Sequence, residues 1–145
     1  MLEIIAGKHG PLADDTIATA LNRLYDIGLR PDWWKLEPQP GSRAWQGIGD
    51  VIRAGDEFCR GIVVLGLDAS EDELVRGFAD AAAEPLVRGF AVGRTIFAEP
   101  AQAWFAGRIS DEQAKQQMAE RFSALVEAWQ SARGEMALGE AGAQA

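Results

Sequence analysis

Asp32-Trp33-Trp34-Lys35-Leu36-Glu37-Pro38 is the stretch on which the reading of this chain turns. It is too short for a core helix, it is bounded by Asp and Pro, and its apolar residues are bulky, so it reads as a buried strand. A strand of a parallel sheet is covered on both faces and is expected to be apolar throughout. Here Lys35 and Glu37 stand two residues apart, on one face, and two inward charges need a reason. Burial of a lysine favours the neutral amine, the form that attacks a ketone to give an imine. The residues alone leave a second reading open, in which Lys35 only pairs with a carboxylate in a packed interior.

Three further segments have the same character: Leu2 to Ala6, Gly61 to Leu67 and Leu86 to Gly93. Between them the apolar residues follow helical spacing, with Ile17, Leu21, Leu24 and Gly28, then Trp45, Ile48, Val51 and Ile52, then Leu74, Phe78, Ala81 and Ala82. Gly28 is placed to end the first helix, and Ser70 with Glu73 and Ser110 with Gln113 have capping-box spacing. A short segment starting at Pro100 and running to Gly107 is followed by a predicted amphipathic helix from Asp111 to Arg133. That helix carries Met118, Phe122, Leu125 and Trp129 on one face. Residues 134–145 are small and polar and are expected to be a disordered tail.

Strands alternating with helices imply parallel strands joined by right-handed crossovers, in a doubly wound sheet or in part of a barrel. A complete (β/α)8 barrel needs roughly 250 residues, and this chain has 145. Four βα units would therefore be half of a TIM barrel. Because Met1 stands directly before the first strand, the reading expects the preceding half to be missing.

Composition removes several function classes. The net charge of -8 opposes binding to phosphate backbones or anionic lipid, so no nucleic-acid and no membrane partner is expected. Cys59 and His9 are each alone, which leaves neither a disulfide framework nor a Cys/His metal site, and suits a cytoplasmic location. No apolar run approaches the roughly 20 residues that cross a bilayer. Gly7-Lys8 lacks the upstream glycine of a phosphate-binding loop, and neither a dinucleotide fingerprint nor a nucleophile elbow is present. Cys59 and most of the five tryptophans read as packing.

Other strand ends carry chemistry as well. Glu3, in Leu2-Glu3-Ile4-Ile5, can shuttle protons for a neighbouring imine, or can be a solvated terminal charge. Gly66 ends one apolar segment, and Gly93 with Arg94 ends the next. Glycine there lets backbone N–H groups approach an anion, and an arginine adds a charged fork, although two tight turns with an exposed arginine would look the same. Lys8 and His9 follow the first strand, where a substrate contact or a plain loop charge both fit.

Three stretches together, residues 24–38, 59–68 and 89–97, resemble a known family. It is the barrel domain (the domain of unknown function 2090 type) that follows the sugar kinase in fused 5-dehydro-2-deoxygluconokinase proteins of myo-inositol catabolism. The resemblance runs to about Arg133. That domain is similar in turn to class I tagatose-bisphosphate aldolases, whose Schiff-base lysine lies in a Lys-hydrophobic-Glu strand matching Lys35 and Glu37. The resemblance implies catalytic roles for Lys35, Glu3 and Glu37 and a substrate phosphate on Gly66, Gly93 and Arg94. It implies a phosphorylated sugar acid, 2-deoxy-5-keto-gluconate 6-phosphate, cleaved to dihydroxyacetone phosphate and malonate semialdehyde with no cofactor and no metal. The chain departs from the family in lacking the first half of the barrel, which supplies an acidic residue and a second lysine. Completion by that half, by a kinase domain or by a second copy is therefore expected. The alternative is a non-catalytic regulatory or interaction domain associated with a sugar kinase.

Overall fold

The computed structural model describes residues 1–66 and 69–142, with His9 and residues 135–142 described by backbone alone. Strands β1 (Leu2–Ile4), β2 (Trp33–Leu36), β3 (Gly61–Leu65) and β4 (Val87–Ala91) alternate with helices α1 (Thr16–Asp26), α2 (Ser42–Gly55), α3 (Glu71–Ala82) and α4 (Arg94–Phe105). A last helix, α5 (Asp111–Gly142), follows, and a 3-10 turn, Gly7–His9, lies after β1. The expected strand at residues 61–67 ends within the described part at Leu65, and Leu67 lies outside the described residues.

The four strands are all parallel and lie in the order β1-β2-β3-β4. When each strand is added on the same side of the last, right-handed crossovers deliver every connecting helix to the same face. The core follows from this. Trp34 and Leu36 of β2 and Ile62 and Val64 of β3 are fully buried, in one cluster with Ile17 and Leu21 of α1, Trp45, Ile48 and Ile52 of α2, Leu74 and Phe78 of α3, and Leu125 of α5. Lys35 and Val63, which alternate with them, are only partly buried. The strands are thus not covered on both faces as the apolar pattern of β2 suggested. One face carries the helices; on the other Glu3 is exposed and Lys35 and Val63 are half-buried, while Leu65 at the C-terminal end of β3 is buried.

Helix ends behave as their residues dictate. Gly28 adopts φ 85°, a left-handed conformation that costs glycine nothing. Its N–H donates to the Tyr25 carbonyl at 2.9 Å, and the Leu29 N–H donates to the Leu24 carbonyl at 3.0 Å. The two bonds form a Schellman closure of α1. At α3 the expected capping box is complete: Glu73 N donates to Ser70 Oγ at 3.3 Å and Ser70 N donates to Glu73 Oε2 at 2.8 Å. These bonds to Ser70, first the backbone one and then the hydroxyl one, hold the Glu73 carboxyl below its ordinary range. A lowered carboxyl adds stability above the ordinary carboxylate range and loses it as pH falls through the lowered value. Loss of the N-cap hydroxyl in Ser70→Ala is expected to cost about 1 kcal/mol. Acid titration of the thermal midpoint checks it, because the difference between variant and parent should shrink on the acid side.

The region after β4 differs from expectation. α4 begins at Arg94, immediately beyond Gly93, and Pro100 lies inside it rather than at its start. A proline there removes its own ladder bond to the carbonyl of Ile96 and crowds that carbonyl with its ring, while contacts with α5 hold the helix on both sides of it. Arg121 of α5 donates to the Thr95 carbonyl and pairs with Glu99, and Trp104 Nε1 donates to Asp111 Oδ1 at 2.7 Å. α5 starts at the expected capping box, Ser110 with Gln113. Leu125 and Trp129 pack into the core as its pattern implied, while Phe122 is half exposed. The helix backbone continues to Gly142. The side chains of 135–142, and residues 143–145, on which the expected disordered tail falls, lie outside the described residues.

Candidate functional site

The register brings Glu3 of β1, Lys35 of β2, Val63 of β3 and Gly89 of β4 into one row across the uncovered face. Lys35 Nζ lies 3.4 Å from Glu3 Oε1, with the two side chains 26% and 43% exposed. An ion pair this accessible contributes at most about 1 kcal/mol, so stability does not account for placing two charges on a strand face. As chemistry the arrangement is apt, because a carboxylate beside an amine can deliver and remove the protons that imine formation and hydrolysis require. Lys35 is not buried as the sequence pattern suggested, since the face that would cover it is open.

Above this pair, at the C-terminal ends of the strands, lies a cavity of about 270 Å³. Glu3, Lys35 and Leu65 contribute from the strands, Lys8 from the 3-10 turn, Gly66 from the end of β3, and Gly93, Arg94 and Thr95 from the start of α4. Three cationic side chains and one carboxylate line a single recess in a chain whose net charge is -8. That reversal of local charge favours an anion in the recess over a cation.

The end built by β3 and β4 has the features of an anion cradle. α4 has Gly93 as its N-cap with no side chain capping its first-turn amides, in contrast to the satisfied N-terminus of α3. Helix N-termini favour negative charge, since N–H groups and the dipole point outwards. Gly66 brings the two turns close: a Cβ there would lie 3.0 Å from Val92 Cγ1 and 3.4 Å from Thr95 Oγ1, so a side chain would press on both. Thr95 Oγ1 donates to the Ala69 carbonyl at 2.9 Å and so ties the two turns together. Thr95 is a site residue that motif reading missed, although it directly follows the Gly93-Arg94 pair that signalled the turn.

Glu37 is placed differently from its expected role beside Lys35. It lies one residue past the end of β2, and its carboxylate is committed to the turn after β1. Oε1 accepts from Ala6 N at 2.6 Å and Gly7 N at 2.9 Å, and Oε2 accepts from Gly7 N at 3.2 Å. Only 5% of the residue is exposed, and it does not line the cavity. The alternation that aligned Lys35 with Glu37 stops at Leu36, and two backbone donors take the carboxylate. Lys8 is carried into the cavity by that same turn, whereas the side chain of His9 lies outside the described residues.

Cys59 precedes β3, at the opposite end of the strands, and burial pushes its thiol up, against formation of a thiolate. It packs, as its residue type suggested. Tyr25 is likewise raised by burial, and its hydroxyl accepts a bond from Trp34 Nε1 at 2.9 Å.

Residues 1–133 match the model of a protein family described as an uncharacterized protein conserved in bacteria (DUF2090). The chain belongs to that family. Comparison with curated proteins and comparison with solved structures each return no match. Among the described residues no helix is long and apolar enough to cross a membrane.

Proposed function

We propose that this chain is the C-terminal half of a (β/α)8 barrel of the class I aldolase type. Its site cleaves a phosphorylated keto-sugar acid, 2-deoxy-5-keto-gluconate 6-phosphate, to dihydroxyacetone phosphate and malonate semialdehyde in the cytoplasm. The observation that carries the reading is Lys35 Nζ within 3.4 Å of the Glu3 carboxylate, facing a cavity whose far end is a glycine-rich anion cradle. Sequential parallel strands with the helices on one face agree with a barrel wall, whose inner face receives the substrate and whose loops at the strand C-termini bind it.

In this mechanism the Lys35 amine adds to the ketone carbon, and water leaves with a proton from Glu3, giving a protonated imine. Glu3 then removes the proton of the hydroxyl two carbons from the imine carbon. The bond between that hydroxyl-bearing carbon and the carbon next to the imine breaks, the aldehyde departs, and the electron pair moves into the imine to give an enamine. Protonation of the enamine carbon and hydrolysis release dihydroxyacetone phosphate and free Lys35. Gly66, Gly93 and Arg94 hold the phosphate throughout.

The reading requires the open sheet face to be closed by further strands, from an N-terminal half-barrel or from a second copy. A second reading, a non-catalytic interaction domain, draws on the same open face together with exposed Phe97, Trp104 and Phe105. Incubation with dihydroxyacetone phosphate and borohydride separates the two. Peptide mapping is expected to find a reduced adduct on Lys35, and its absence at saturating ligand would leave only the interaction reading.

A further inference from the structure

Glu3 reaches Lys35 from a strand that has little else to hold it. β1 has three residues, it lies at the edge of the described sheet, and three residue pairs set its register with β2. The ion pair itself is accessible and adds about 1 kcal/mol at most. A short edge segment with so few bonds opens readily. Proton transfer at an imine on Lys35 needs hydrogen-bond reach, so a β1 that opens takes Glu3 out of use.

Glu37 supplies what β1 lacks. It follows Lys35 and Leu36 directly, and its carboxylate accepts from the Ala6 and Gly7 amides, in the turn that follows Glu3. The carboxylate thus joins the ends of the two strands that carry the pair, just past their last paired position, Ile4 with Leu36. Bonds to a carboxylate are about twice as strong as neutral ones. Burial of a carboxylate is costly unless its oxygens are bonded, and this one spends its bonds on the turn. Two neighbours fix the clamp. Gln39, also buried, donates from Nε2 to the Glu37 carbonyl at 2.7 Å. Gly7 carries no Cβ, which would lie 2.7 Å from Glu37 Oε2 and press on it.

We propose that Glu37 is a positioning residue for the chemistry of Lys35: it holds β1 against β2 and so keeps Glu3 opposite the amine, without itself exchanging protons with the substrate. Its carboxylate is occupied by the turn and does not line the cavity, which sets this role apart from the catalytic one that the resemblance implies. The proposal deepens the aldolase reading and rests on it for the chemistry that Glu3 performs.

Single-turnover trapping of the Lys35 adduct with dihydroxyacetone phosphate and borohydride tests the assignment through a double-mutant cycle. Glu37→Leu should slow adduct formation by about tenfold or more, and that loss should vanish in a Glu3→Gln background, because residues that act through one another are not additive. Glu37→Gln should stay within about threefold of the parent, since its amide oxygen can still accept from both backbone N–H groups. Gly7→Ala leaves both carboxylates in place and presses on the clamp from the turn. It should slow the parent and leave Glu3→Gln unaffected, and it carries the test if Glu37→Leu does not fold. A Glu37→Gln as slow as Glu37→Leu, or losses that multiply when Glu37→Leu is combined with Glu3→Gln, would overturn the proposal in favour of proton transfer by Glu37 itself. Amide hydrogen exchange reads the clamp without a ligand. In Glu37→Leu the paired amides of β1 should exchange at least about tenfold faster while those of β3 and β4 keep the parent's rates, and unchanged exchange at β1 would overturn the clamp. A parent that forms no adduct, with exchange at β1 accelerated in Glu37→Leu, removes the aldolase reading alone. An adduct whose rate ignores Glu37→Leu in a folded chain removes this proposal alone.

Discussion

Lys35→Met is expected to abolish the borohydride-trapped adduct and to lower any lyase turnover by on the order of 10⁶-fold, as loss of a covalent nucleophile does in other enzymes. The fold should survive. Methionine keeps the length and the apolar stem of lysine, and the ion pair lost is exposed enough to matter by about 1 kcal/mol at most. Lys35→Arg separates charge from chemistry: the guanidinium can still face Glu3, but it offers no amine that becomes nucleophilic near neutral pH. It should be as inactive as the methionine variant. Glu3→Gln should behave differently, retaining the adduct while slowing its formation and its hydrolysis by about 10²- to 10⁴-fold, the usual contribution of a positioned acid or base. Single-turnover trapping followed by intact mass measures all three. A Lys35→Met chain that still forms the adduct would move the chemistry to another lysine, with Lys8 the first alternative in the cavity.

Phe78→Ala is expected to destabilise the chain by about 4 kcal/mol, a large share of the 5–15 kcal/mol that holds a typical domain together. Phe78 is completely buried. Its ring stacks on Phe90 at 5.3 Å and meets Trp129 edge-on at 5.5 Å, so that one side chain joins α3, β4 and α5. Truncation would forfeit both ring pairs and open a cavity, whereas Phe78→Leu keeps most of the volume and should cost about 1.5 kcal/mol. Thermal unfolding should show a fall in midpoint of more than about 10 °C for alanine. The functional consequence is directional. Phe90 lies on β4 three residues before Gly93, the N-cap of α4, so loosened packing should weaken phosphate binding at the α4 end before it disturbs the pair of Lys35 with Glu3, which is held by β1 and β2.

Much of this architecture was legible from local pattern. Ser70 with Glu73, Ser110 with Gln113 and Gly28 marked helix ends correctly because capping satisfies backbone groups within a few residues, and no distant partner is needed. The strands were legible through their short apolar runs. Pro100 misled because a proline favours a helix start, yet a helix packed along α5 tolerates the loss of a single bond. Lys8 was left open between a substrate contact and a loop charge, and Thr95 was passed over, because neither belongs to a motif: each acquires meaning from where its turn ends up.

The Lys35 segment marks the division most clearly. Sequence by itself determined that a charged residue stands in an otherwise apolar strand, that strands and helices alternate, and that glycines and an arginine lie at later strand ends, since each depends on neighbours along the chain. Only the tertiary structure decided which carboxylate Lys35 meets. Alternation along β2 set Glu37 on the same face as Lys35 and left open which carboxylate pairs with it, but side chains past a strand end go to whatever donors lie nearest, and for Glu37 these were the Ala6 and Gly7 amides. The partner came instead from the register of β1 against β2, which sets Glu3 opposite Lys35, a relation between segments about thirty residues apart that no local spacing encodes.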